Sequence, residues 1–320
     1  MTDSLLERFR VMARMRHFEE ACLEGAVSRE IHGELHLGIG QEAIAAGMRG
    51  SLRADDALVS THRNHLHAIA KDVPLEPMLA EIYEKETGLC RGRGGHMHLF
   101  DPAHNFSTTG IVGSSIPVAL GYAYAAAMEG SDAIAVALTG DGGTNTGSFH
   151  ECLNMAGAWK LPLVVVVENN LFAISVQSEH VTAAATTAAR AAAYAAWGRT
   201  VDGTDVEAVA RAFAEAAQHA RDGHGPALLE ATCYRFRGHF EGDTDHYRPA
   251  ADRERGRRER DPLVIARARL IARDEATDEQ LDALIDRSER EIAGLLATVR
   301  AAAQPLATGA LDGVYAGASQ

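Results

Sequence analysis

The sequence predicts an α/β fold in which a central, mostly parallel sheet is flanked by helices on both faces. Three observations carry this. An apolar run, Ala133 to Leu138, ends in the turn Thr139-Gly140-Asp141-Gly142-Gly143, and a helical pattern follows from Thr144 to Trp159. A second apolar run, Leu163 to Val167, leads into Glu168-Asn169-Asn170 and completes the strand, turn, helix, strand order of a parallel βαβ crossover. A third run, Pro226 to Tyr234, reads as a further strand of the sheet. Both turns of the crossover fall at the carboxyl ends of their strands, the edge at which open α/β sheets bind ligands.

The flanking elements follow in order. Residues 1 to 30 place Leu5, Phe9, Met12, Met15 and Phe18 at helical spacing among charges, which predicts an amphipathic helix packed on its own domain or on a partner. His32 to Ala43 is turn-rich and leads into a helix; its histidines lack the spacing or the cysteines of a zinc site. Ser60 to His67, STHRNHLH, is the densest histidine cluster, and Pro74 to Tyr83 resumes helical spacing. Gly88 to His98 is a glycine and arginine loop, and Thr109 to Pro117 precedes an alanine-rich helix that runs to about Met128. Beyond the crossover, Val181 to Trp197 and Asp205 to Arg221 read as helices. Arg235 to Pro249 is a long polar loop with glycines, a composition that fits a functional lid better than a plain connection. Arg253 to Arg260 reads as a solvated helical face and Pro262 to Ala303 as helix again. The tail from Pro305, with Tyr315, has too little core to fold alone. All 320 residues are expected in a single domain with a helical N-terminal extension over 1–30 and a helical C-terminal region over 262–320.

A formal charge of -13 argues against nucleic acid or an anionic membrane surface as the partner. No apolar stretch approaches the ~20 residues that cross a bilayer, and the N-terminus lacks the apolar core of a secretion signal. Cys22, Cys90, Cys152 and Cys233 lie far apart without CxxC pairing, which fits reduced, packed thiols in the cytoplasm.

The two crossover turns narrow the ligand. Asp141 lies among Gly140, Gly142 and Gly143, which let a phosphate approach the backbone beside a helix start that favours an anion. Asn170 brings a neutral oxygen to the same edge from the neighbouring strand. One carboxylate, one amide and a backbone carbonyl form a small oxygen-only set, suited to Mg²⁺ held jointly with a diphosphate. Dinucleotide and P-loop motifs fit less well: the first needs glycine where Asn145 stands, and the second needs Gly-Lys-Ser/Thr where the chain has Gly147-Ser148-Phe149. Arg63 offers a planar fork for phosphate, and His62 and His65 can donate to phosphate or move protons near neutral pH.

Gly-Asp-Gly at 140–142, followed by a spacer and Asn-Asn at 169–170, matches the thiamine diphosphate signature. The chain resembles the alpha subunit of the decarboxylating first component of 2-oxoacid and acetoin dehydrogenase complexes, from about His32 almost to the C-terminus. Further motifs carry the resemblance: HLGIGQEA at 36–43, HisArg at 62–63, GRGGHMH at 92–98, GIVG at 110–113 and RFRGH at 235–239. His62 in place of the pyruvate-type tyrosine, and HFEGDTDHYRP at 239–249, look like the acetoin branch; His96 stands where the family usually has serine.

The resemblance implies the thiamine diphosphate-binding fold, with thiamine diphosphate and Mg²⁺ as cofactors. It implies that Asp141, Asn170 and the Phe172 carbonyl hold the metal, that His62, Arg63 and His239 meet the diphosphate, and that backbone groups of Gly110 and Val112 hold the aminopyrimidine. His36, His65 and His239 become the candidates for proton transfer. It also implies a beta subunit in an alpha2beta2 assembly that supplies an activating glutamate, and a lipoyl-bearing acyltransferase that accepts the acyl group. The expected reaction cleaves a C–C bond next to a carbonyl of a small substrate, with acetoin favoured over pyruvate, branched 2-oxoacids or a biosynthetic donor. Two rivals are a nucleotide-dependent α/β enzyme and a non-catalytic scaffold subunit.

Overall fold

The computed structural model describes residues 3–311. Tyr315 and the end of the tail lie outside them. Helix α1 (Leu5–Val27) starts at Ser4, whose hydroxyl accepts from the Glu7 N–H, and buries Phe9, Met12, Met15 and Phe18. After the His32–Gln41 turns come α2 (Glu42–Arg49), strand β1 (Ala57–Ser60), α3 (His65–Ala70) and α4 (Leu75–Ile82). Two short strands, β2 (Phe100–Asp101) and β3 (Phe106–Thr108), precede α5 (Ser115–Glu129). The crossover itself is β4 (Ala135–Gly140), α6 (Gly147–Trp159) and β5 (Leu163–Asn169). A small hairpin, β6 (Phe172–Ala173) with β7 (Val176–Gln177), leads to β8 (Trp197–Asp202), α7 (Val206–Arg221) and β9 (Ala227–Thr232). Helices α8 (Ala250–Glu259), α9 (Pro262–Ala272) and α10 (Asp278–Ala301) close the described chain.

The seven-stranded sheet has the order β2-β3-β1-β4-β5-β9-β8, and each neighbouring pair is parallel except β2 with β3. Alternation along the strands divides the core between two faces. Val136, Leu138, Val164 and Val166 join a core built with α1, α2, α4, α7 and α10. Ala135, Ala137, Leu163, Val165 and Val167 join a second core with Ile116, Ala119 and Ala123 of α5 and Phe149 and Leu153 of α6. The expected α/β architecture, with helices on both faces and helical extensions at both ends, is therefore present.

Two local expectations change. The expected helix from Val181 to Trp197 is instead a turn-rich segment with a 3-10 stretch, Ala188–Tyr194, and Trp197 opens β8. Packing overrides the alanine propensity: a Cβ on Gly157 would lie 2.0 Å from the Tyr194 carbonyl and one on Gly198 2.6 Å from Ala191, so the segment is pressed onto α6 and β8. The helix expected from Thr144 begins at Gly147, because Asp141–Asn145 forms a 3-10 turn that sets Asp141 at the strand end. The exposed edge strand β8, WGRTVD, has no apolar run to announce it.

Candidate active site at the carboxyl edge of the sheet

Thr61, His62 and Arg63 follow β1, Asp141 follows β4, Asn170 follows β5 and Arg235 follows β9, so four parallel strands deliver their last residues to one cleft. With Ile111, Val112, Phe172, Ile174 and His239, they line a cavity of about 240 Å³. Gly140, Gly142 and Gly143 line it as well. A side chain on Gly143 would meet the Thr139 hydroxyl at 2.2 Å, so the turn closes only with glycine there.

Two oxygens on neighbouring strand ends have no partner. Asp141 is 3% exposed, and its Oδ2 is buried without a hydrogen bond. Burial pushes its pKa up to about 6 against the opposing pull of nearby donors and Arg235. Asn170 donates its amide to Gln41 Oε1 at 3.2 Å, which leaves its buried Oδ1 unpaired. Buried polar atoms are normally satisfied, so a pair of orphaned oxygens marks a site for something absent from the chain itself. A hard, oxygen-seeking cation meets that need.

A wall of imidazoles adjoins the same cleft. The His36 ring lies 4.5 Å from His62, 4.8 Å from His239 and 5.8 Å from His96, centroid to centroid. One ring nitrogen from each of His36, His62 and His239 falls within 4.8 Å of the others. Burial first, then the Arg63 charge, hold His36 down to about 2, His62 to about 3 and His239 to about 4. Burial and the nearby His65 lower His96 to about 4. The wall is neutral at neutral pH. Arg63 is buried and donates to the carbonyls of Leu37 and His239, which ties the HLGIG turn to the 235–249 loop. The His239 N–H is fixed in turn by Asp243 at 2.6 Å, while its Nδ1 is buried and unpartnered.

The predicted residues thus divide. His62, Arg63, Val112, Gly140 to Gly143, Asn170, Phe172 and His239 line the cleft, and His36 packs against its histidines. Gly110 sits two residues before Val112, beside His98, and is not among the lining residues. His65 is fully buried behind the wall, against Phe18 and Glu19. Glu168, Arg235 and Gln41 were not anticipated. Glu168 lines the cleft, accepts from His67 Nε2 at 3.1 Å, and so joins a buried series in which His67 Nδ1 meets the Ser60 hydroxyl at 2.8 Å. Its place directly before the Asn-Asn pair was the available signal.

The profile of the dehydrogenase E1 component matches residues 10–307. The chain belongs to that family. Among similar proteins, the alpha subunit of acetoin:2,6-dichlorophenolindophenol oxidoreductase from Cupriavidus necator is 38% identical over 98% of this chain and 94% of its own. The protein of the same name from Bacillus subtilis is 41% identical over 82% of this chain and 79% of its own. The chloroplastic pyruvate dehydrogenase E1 component subunit alpha-3 of Oryza sativa subsp. japonica is 39% identical over 88% and 68%. The E1 family implies thiamine diphosphate, and this cleft fits it. The cleft holds two orphaned oxygens of the kind that could ligate a metal diphosphate, glycines that leave room for phosphate, and Arg63. This E1 chain is a thiamine diphosphate-dependent oxidoreductase subunit of the alpha type. Among the described residues, no helix is long and apolar enough to cross a membrane.

Proposed function

We propose that the chain acts with a beta subunit on an uncharged α-hydroxyketone, acetoin, and passes the acyl group to a lipoyl-bearing acyltransferase. The observation that carries this reading is the neutral imidazole wall set against two orphaned oxygens. Asp141, Asn170 and the Phe172 carbonyl hold Mg²⁺, and Arg63, His62 and His239 face the diphosphate. Backbone groups of Gly110 and Val112 hold the aminopyrimidine. Thiamine diphosphate, when bound, supplies the carbanion stabilisation. The residues of the chain bind and orient the reactants, and His36, His65 and His239 hold or move protons at their ring nitrogens.

The desolvated imidazoles that line the cleft, His62 and His239, offer hydrogen bonds and no charge, which suits a ketone and a hydroxyl better than a carboxylate. Arg63 is engaged by two carbonyls. A 2-oxoacid is the second reading, favoured by Arg235, a cation on the cleft wall. The beta subunit is read onto the face beside Ile111 and Val112, where α5 exposes Val118, Tyr122, Tyr124 and Met128, with Glu129 at its end as the helix's one charge. A cytoplasmic setting accords with the scattered free cysteines.

The test is dye reduction by the chain mixed with its beta subunit, Mg²⁺ and thiamine diphosphate. Acetoin is expected to turn over faster than pyruvate or a branched 2-oxoacid. Preference for an acid keeps the family and overturns the substrate, whereas failure to bind thiamine diphosphate in the assembled complex sinks the reading.

A further inference from the structure

Glu19 lies on α1, an element whose sequence pattern speaks only of packing. It is nonetheless fully buried, and both its oxygens are engaged. Oε1 accepts from the Gly38 N–H at 3.0 Å, and Oε2 lies 3.1 Å from His65 Nδ1. His65 is itself fully buried, its ring set edge-on to Phe18 at 6.0 Å, and its Nε2 is buried with no partner. An ionised carboxylate can only accept, so Nδ1 must carry the proton, and in the neutral imidazole Nε2 then presents a lone pair. The same carboxylate pins Gly38, the residue after the Leu37 carbonyl that receives Arg63.

We infer that Glu19 is a positioning residue for the reaction: it fixes the tautomer and orientation of His65, so that Nε2 is held ready to accept a hydrogen bond or a proton behind the histidine wall. This rests on the proposed proton-handling role of His65. The arrangement follows the rule that the hydrogen bond made by one imidazole nitrogen decides what the other can do. A neutral amide at position 19 retains the shape. To satisfy its own NH₂ it must donate to Nδ1, which moves the imidazole proton to Nε2 and removes the lone pair.

Glu19→Gln and Glu19→Asp are compared with the unsubstituted chain in the assembled complex with beta subunit, Mg²⁺ and thiamine diphosphate. Glu19→Gln is expected to lower kcat by roughly 10²- to 10⁴-fold, as a wrong tautomer does in a hydrolase triad, with KM within about threefold. Glu19→Asp should restore part of that loss. In a His65→Ala background, Glu19→Gln should add little further loss. A full additional loss there, or an unchanged kcat in Glu19→Gln, overturns the inference.

One measurement needs no Glu19 variant to fold. ¹⁵N shifts of the His65 ring in the unsubstituted protein, assigned by loss of its signals in His65→Asn, should report the Nδ1–H tautomer, and an Nε2–H tautomer overturns the inference. If no substrate turns over in the unsubstituted complex, the functional reading fails, and the tautomer still decides the role of Glu19.

Discussion

Two buried aspartates sit at opposite ends of the same parallel sheet and behave in opposite ways. Asp56, just before β1, is fully buried and fully paired: it accepts from the Arg53 N–H at 2.7 Å, the Ile134 N–H at 3.0 Å and both terminal nitrogens of Arg221. Asp141, just after β4, is nearly as buried, yet one of its oxygens is unpaired. The first stitches β1, β4 and α7 together at the amino end. The second is left unsatisfied at the carboxyl end, where a ligand can complete it. Satisfaction, rather than burial, separates the scaffold carboxylate from the site carboxylate.

Exchanging the damage tests that contrast. Asp56→Ala leaves the buried Arg221 guanidinium without its carboxylate, held only by the Asp132 and Ser51 carbonyls, and breaking a buried pair from one side typically costs about 3–5 kcal/mol. Chemical denaturation of the assembled protein should show that loss. Asp141→Ala should leave the denaturation midpoint unchanged or raised, because it removes an unsatisfied oxygen. Its effect belongs to binding: Mg²⁺-dependent affinity for thiamine diphosphate should fall by at least about 100-fold, since loss of mere supporting partners at metal sites already costs about 10- to 100-fold. Titration calorimetry on the assembled complex decides it, and a destabilised Asp141→Ala with unchanged cofactor affinity would erase the distinction.

The histidine wall sharpens the comparison through pH. His36, His62, His96 and His239 all have folded pKa values below the ordinary 6.5. The unfolded chain therefore binds more protons in acid, and stability rises with pH across that interval. The stabilisation is whole above about pH 6.5. It is lost as the pH falls toward about 4 for His96 and His239, about 3 for His62 and about 2 for His36. Denaturation midpoints measured from pH 7.5 to 5 should decline, and His62→Tyr with His96→Ser should flatten the decline. A slope unaffected by both substitutions would assign the acid sensitivity to carboxylates elsewhere.

These contrasts explain what the sequence could and could not disclose. Asp141 and Asn170 were legible because local order places them: an apolar strand followed by a polar turn puts both at one edge, whatever the rest of the chain does. Spacing alone showed the wall as scattered histidines, since 36, 62, 96 and 239 meet through tertiary packing, and only the family resemblance assigned His36, His62 and His239 to one site. Glu19 left no trace at all, because on α1 it is one charge among many and only the structure turns it inward. Arg63 was read as a phosphate fork, and its bonds to two carbonyls make it a clasp between loops. The 188–194 segment misled for the opposite reason, its alanines having high helix propensity and too little room.

The smallest expected effect lies farthest from either aspartate. Helix α10 begins with a capping box: the Thr277 hydroxyl accepts from the Gln280 N–H at 3.3 Å, and the Gln280 side chain accepts from the Thr277 N–H at 2.9 Å. Thr277→Ala removes one of these two bonds, and caps of this kind contribute about 1 kcal/mol. Because α10 packs on α1, the cost should appear in the denaturation midpoint and leave cofactor affinity unchanged. If Thr277→Ala also weakened thiamine diphosphate binding, α1 would be transmitting strain to the site through Glu19, and the separation of scaffold from site would end at that helix.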